Sequence, residues 1–179
     1  MKGLVFTEFL EMVEERFGYD IVDQILTTSD LPSGGIYAAV GTYNHSEMIT
    51  LVEQVSQRTN QSVPELLRSY GQYMFNIFTR SYRQLLDRSD SAFSLFHFIQ
   101  EYHSVEVRKL YPDAELPHFS VEQPAPDHLT MHYTSERKLS DFAHGLIEGC
   151  LEHFGEQATV TKTDLTDDGS QVLFDIVKR

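Results

Sequence analysis

The spacing of apolar side chains changes period near Leu110, and that change limits what this chain can fold into. Before it, apolar residues recur every three or four positions, the repeat of a helix facing a core; after it, they alternate, the repeat of a half-buried strand. Phe6, Phe9, Leu10, Val13 and Phe17 form the first helical stripe, between Gly3 and Phe17, and Gly18 closes it. A short second helix is expected from Asp20 to Leu26, followed by a loop through Ser29-Asp30-Leu31-Pro32-Ser33-Gly34-Gly35. Ser46 is placed to cap a third helix, whose Met48, Leu51, Val52 and Val55 share one face. Ser62-Val63-Pro64-Glu65 has the form of a capping box for a fourth. There Leu67, Tyr70, Gly71, Met74 and Phe78 lie on one face, and Gly71 would admit a close neighbour. The longest helix is expected from Ser91 to Leu110, stopped by Pro112.

Beyond that point His118–Val121 and His128–Tyr133 have the pattern of strands, with Leu129, Met131 and Tyr133 on one face and His128, Thr130 and His132 on the other. A helix from Ser140 to Phe154, ending at Gly155, separates them from a hairpin of Thr159–Leu165 and Gln171–Val177 around Asp167-Asp168-Gly169. The fold class is therefore α+β: a helical N-terminal part, then a long helix and a four-stranded antiparallel sheet. At 179 residues one folding unit is expected.

Charge narrows the functions. Lys+Arg 14 against Asp+Glu 27 gives a net charge of −13, which repels phosphate backbones and anionic headgroups, so neither nucleic acid nor a membrane surface is the expected partner. The single cysteine, Cys150, cannot form an internal disulfide and fits a reducing, cytoplasmic setting. Glu8 falls too early for a signal-peptide core, and no apolar run reaches the length of a membrane span.

Two features carry chemistry. On the long helix His103 shares a face with Leu95, Phe96, Ile99, Val107 and Leu110, so its imidazole points into an apolar seam. There it is either a core histidine hydrogen-bonded to protein or a metal ligand. If the strand continues past Tyr133, Tyr133, Ser135 and Arg137 fall on one face, in line with Leu129 and Met131. Two hydroxyls and a guanidinium suit a carboxylate at the end of an apolar ligand, although a strand-end arginine also pairs readily with a surface acid. One axial imidazole plus one carboxylate clamp on an apolar wall is what a haem requires.

The order of a histidine on a long helix, Tyr133-Thr134-Ser135-Glu136-Arg137 thirty residues on, then a helix bearing Gly145-Leu146-Ile147-Glu148-Gly149, resembles the H-NOX domains, the haem nitric oxide/oxygen binding family that includes the sensor domain of soluble guanylate cyclase. The resemblance spans the chain, from Met1-Lys2-Gly3 to the closing hairpin. It implies a single haem domain, with residues 1–60 as an N-terminal helical subdomain, residues 61–179 as the haem-ligating subdomain, and a non-covalent haem b between them. His103 would then be the proximal iron ligand, and Tyr133, Ser135 and Arg137 would hold the propionates. Pro117 would press on the porphyrin, while Val5, Phe78 and Leu146 would line its slot.

The oxygen-binding members place a tyrosine on the helix after the signature, assisted by polar residues on two earlier helices. Here those positions are Phe142, Phe9 and Met74, none of which has a side-chain donor. The resemblance therefore implies a sensor that binds NO, and CO, at ferrous haem and retains O₂ poorly. It also implies that NO breaks the iron bond to His103, and that the signal passes in trans, since no output domain precedes Arg179, to a histidine kinase or a cyclic-di-nucleotide signalling enzyme.

Two other classes stand beside this one. Cys150 and His153, at i and i+3, could form a thiol–imidazole pair of a hydrolase, though no third group supports it. A haem-free acidic module docking a basic partner is the other. His128 and His132 share a strand face as a surface metal candidate, and the chain has too few cysteines for the zinc site that some H-NOX members carry.

Overall fold

The computed structural model describes residues 1–81, 83–102, 105, 108–110 and 115–179. It divides into two compact units, Met1–Tyr70 and Gly71–Arg179.

In the first unit α1 (Gly3–Phe17) has the bounds that its apolar stripe predicts, and Phe6, Phe9 and Val13 are fully buried. After Gly18, whose φ of 89° suits glycine, α2 runs from Tyr19 to Thr28, slightly longer at both ends than Asp20–Leu26. α3 (His45–Thr59) buries Met48, Leu51, Val52 and Val55, but its cap is Asn44, whose side chain accepts from the Ser46 N–H at 3.0 Å. Ser46 is thus the capped residue and not the cap. The connection between α2 and α3 is tied down by Glu47, a buried carboxylate. Its Oε2 accepts from the Ser33 hydroxyl at 2.5 Å, the Ser33 N–H at 3.3 Å and the Tyr37 hydroxyl at 2.9 Å. A buried charge requires such donors. Burial above all pushes the Tyr37 phenol up to about 12.

The capping box at the start of α4 (Val63–Ser81) forms as expected: Glu65 Oε2 accepts from the Ser62 N–H at 2.9 Å and the Ser62 hydroxyl at 2.6 Å. At 19 residues α4 is the longest described helix. The helix expected to be longest is described as α6 (Ala92–Tyr102), preceded by the single turn α5 (Arg83–Leu86) and followed by α7 (Arg108–Leu110). His103, Val107 and Pro112, named in the sequence reading, lie outside the described residues.

The second unit is built on one antiparallel sheet in the order β1-β2-β4-β3, with β1 His118–Ala125, β2 His128–Thr134, β3 Ala158–Asp164 and β4 Gln171–Lys178. β1 extends beyond the expected Val121, with a register shift between Glu122 and Ala125. Leu129, Met131 and Tyr133 of β2 stand opposite Ile176, Phe174 and Val172 of β4, all six buried. A one-residue slip would turn this whole face outward, so the register is strongly specified. α6 contributes Phe93, Leu95 and Phe96 to the core, and α8 (Ser140–His153) contributes Ala143, Ile147, Cys150 and Leu151. Gly155, at φ 65°, sits just past the Phe154 cap of α8. Gly71 does admit a neighbour, because a Cβ there would lie 2.2 Å from the Phe142 carbonyl oxygen and 2.8 Å from the Gly145 Cα.

A second glycine is under the same constraint in the first unit: a Cβ on Gly3 would lie 1.8 Å from the Ala38 carbonyl oxygen. The obstacle is backbone, so no flexible side chain can yield. Gly3→Ala is expected to destabilise the protein by about 1–3 kcal/mol. In thermal unfolding the midpoint should fall by roughly 2–4 °C per kcal/mol.

Candidate carboxylate-binding site

The site begins where β2 stops. The strand does not continue through Tyr133-x-Ser135-x-Arg137 with three side chains on one face; it ends at Thr134, and residues 135–138 form a turn. The cause is local. The Ser135 hydroxyl accepts from the Arg137 N–H at 3.2 Å, and the Ser135 carbonyl accepts from the Lys138 N–H at 3.3 Å, giving the backbone an alternative to the ladder. The turn nevertheless gathers the expected groups. The buried Tyr133 hydroxyl accepts from the Leu139 N–H at 3.1 Å. The same hydroxyl is hydrogen-bonded to Ser135 and feels the charge of Arg137.

Two effects oppose each other at Tyr133. Burial raises the phenol pKa, while the Ser135 and Leu139 hydrogen bonds and the Arg137 charge lower it; burial prevails and the net direction is up. Arg137 is the more unusual group. Its side chain is 17% exposed, against 87% for its partner Glu115, whose Oε2 lies 3.4 Å from Nη2. Its Nε is buried and, among the described residues, has no hydrogen-bond partner. Guanidinium is always charged and forked, so a withdrawn Arg137 with a vacant Nε beside two hydroxyls has the donor set that a carboxylate-bearing ligand fits.

The other residues named from sequence are distributed as follows. Pro117, Val5, Phe78, Leu146 and Phe142 are partly buried, whereas Phe9 and Met74 are fully buried. His103 lies outside the described residues, and of its expected seam Leu95 and Phe96 are buried while Ile99 packs against the same core. Cys150 is buried and its thiol is pushed far up by that burial, so it is held protonated, while His153 is exposed; the pair is not an activated nucleophile. His128 Nε2 lies 2.6 Å from Asp175 Oδ1, a pairing that accounts for it without a metal. Among the described residues no three or more His, Cys, Asp and Glu side chains converge as a metal site.

Sequence reasoning passed over two arrangements. The fully buried Tyr70 packs edge-on against Phe9, ring centroids 5.2 Å apart, and donates its hydroxyl to the Val5 carbonyl at 2.5 Å. Its place on the α4 apolar face marked it as core, but the acceptor 65 residues away left no local signal. His144 on α8 is buried, with Nε2 3.7 Å from Glu148 Oε1, and Gln72 donates to Glu148 Oε2 at 3.0 Å. The i, i+4 spacing of His144 and Glu148 was available as a signal.

A family model described as haem-NO-binding matches residues 2–162. The unliganded Fe(II) H-NOX protein from K. algicida is 41% identical, with a TM-score of 0.95 over 100% of this chain and 97% of that one. The H-NOX from Shewanella woodyi, solved bound to IWP-051 in the Fe(II)CO state, is 36% identical, with a TM-score of 0.84 over 100% and 95% of the two chains. The H-NOX protein from S. oneidensis in the Fe(II)NO state is 26% identical, with a TM-score of 0.91 over 100% and 99%. No curated protein matches the chain.

Tyr133→Phe would leave the buried Leu139 N–H without its acceptor, an expected loss of about 1–3 kcal/mol measurable by urea unfolding near neutral pH. The variant should also change the alkaline limb. Because the folded phenol pKa lies above the ordinary 10.0, its contribution is complete below that value and is lost as pH rises through the folded one. The gap between wild type and Tyr133→Phe should therefore narrow above about pH 10.

Proposed function

The chain belongs to the haem-NO-binding (H-NOX) family of haem-binding gas sensor domains, which are not enzymes, and from that premise we propose that it is a nitric oxide sensor. The observation that carries the haem part of this reading is Arg137, a withdrawn guanidinium whose Nε has no acceptor among the described residues, set beside the hydroxyls of Tyr133 and Ser135. A haem propionate would supply the missing acceptor. Tyr133, Ser135 and Arg137 would hold a haem b by its carboxylates without a covalent bond, and His103 would ligate the iron. A single buried cysteine offers no covalent haem attachment motif. Val5, Phe78, Leu146 and Pro117 are the proposed apolar contacts.

When bound, the haem iron supplies the position at which NO, and CO with it, is held. Selectivity is then a matter of the donors that surround the gas. O₂ held on iron is polarised and depends on a hydrogen-bond donor, whereas NO does not. Phe9, Met74 and Phe142, the proposed distal residues, have no donor to offer. Tyr70, the neighbour of Phe9, already donates its hydroxyl proton to the Val5 carbonyl. Both facts favour NO over stable O₂.

Release of His103 is the proposed output step. Once freed, the segment that carries it would shift and alter the surface that a partner reads, provided the partner binds the two states unequally. The proposed partner is a separate signalling protein, a histidine kinase or a cyclic-di-nucleotide enzyme, in the cytoplasm. Among the described residues no helix is long and apolar enough to cross a membrane.

The visible spectrum of the purified protein tests this directly. A Soret band is expected in the wild type and should be lost or strongly weakened in His103→Ala; a colourless wild type reconstituted with haem would end the reading. The reduced protein in air should form no stable oxy spectrum, whereas Phe142→Tyr should move it toward oxygen binding.

A further inference from the structure

The turn after β2 is braced from outside the Tyr-x-Ser-x-Arg pattern. The Ser135 N–H donates to the Ser170 carbonyl at 2.9 Å, and Lys138 Nζ lies 3.0 Å from Asp168 Oδ2. Both partners belong to the connection between β3 and β4. That connection is closed by its own bonds: Asp168 Oδ1 accepts from the Ser170 N–H at 3.0 Å, and Thr166 Oγ1 accepts from the Gln171 N–H at 3.1 Å. Ser170 and Lys138 also hold the Asp168 carboxyl well below the usual range, so the ion pair persists in mild acid.

Lys138 has a φ of 55°, in the left-handed region that side chains other than glycine and asparagine seldom adopt. It stands between Arg137, whose guanidinium lacks an acceptor at Nε, and Leu139, whose N–H is bound by Tyr133. Relaxing that one dihedral would redirect the guanidinium and break the bond to Tyr133 together. Something must therefore hold Lys138 where it is, and the contacts that its side chain makes run to Asp168.

We infer that Asp168 and Lys138 are positioning residues for the carboxylate clamp: their ion pair fixes the turn that presents Tyr133, Ser135 and Arg137 to the propionates. The inference rests on the haem reading and deepens it. It assigns a role in cofactor retention to the β3–β4 connection, which has no ligand-facing residue of its own in that reading.

The test is the rate of haem transfer from the intact holoprotein to excess apomyoglobin, followed by visible absorbance. Asp168→Asn and Lys138→Met should each release haem about two- to fivefold faster than wild type, the range set by the strength of a half-exposed ion pair. The double variant should be no faster than either single one, since both remove the same interaction. Asp168→Glu should restore retention. Lys178→Met, which breaks the ion pair to Glu156 on another part of the surface, should leave the rate unchanged. Wild-type release in Asp168→Asn, additive effects in the double variant, or equal acceleration in Lys178→Met would overturn the inference while leaving the haem reading intact. A wild type that takes up no haem would overturn both, and that outcome is visible before any variant is made.

Discussion

A permanent positive charge withdrawn from water has to be answered by an anion or by a dense set of acceptors, and Arg137 is answered on one edge only. Among the described residues, Glu115 meets Nη2 from a solvent-exposed position, and Nε meets nothing. An unpaired buried donor on a charged group costs more than a neutral hydrogen bond returns, which is the physical ground for the ligand proposed here. The surrounding structure sets the guanidinium and the two hydroxyls in place. The β2–β4 register sets Tyr133 at the end of a buried ladder, the turn brings Ser135 and Arg137 back beside it, and the Leu139 N–H locks the tyrosine oxygen in place.

Much of this was legible in the sequence, because the helical and strand periods are strong. The bounds of α1, the alternation of β2 and the glycine after α8 all follow from residue spacing that no competing local bond disturbs. The composition of the proposed clamp can be read from the sequence too, as two hydroxyls and a guanidinium two residues apart. Its geometry was not. Period-two spacing put all three groups on one strand face, but the Ser135 side chain competes for the backbone and converts the end of the strand into a turn. Ser46 failed as a cap for a related reason: Asn44 and Ser46 are both good capping residues, and nothing in the local sequence ranks them.

The remaining misses are long-range. The acceptor of Tyr70 lies on α1, and Gln72 meets Glu148 from 76 residues away, so neither contact leaves a periodic trace. Glu47 shows the same limit from the other side: three donors from the preceding connection surround its buried carboxylate, and no periodic pattern links them to it. Local pattern identifies which face of an element is apolar; it does not identify the polar groups that face one another after folding.

The bond from Tyr70 to Val5 ends on a main-chain oxygen, which no exchange of side chain at position 5 deletes. A mutation that swaps valine for another helix-compatible residue alters bulk there and leaves the phenol occupied. Drift at that site can thus change the packing around Val5 without freeing the Tyr70 hydroxyl proton, and the inertness of this tyrosine is inherited with the path of the first helix.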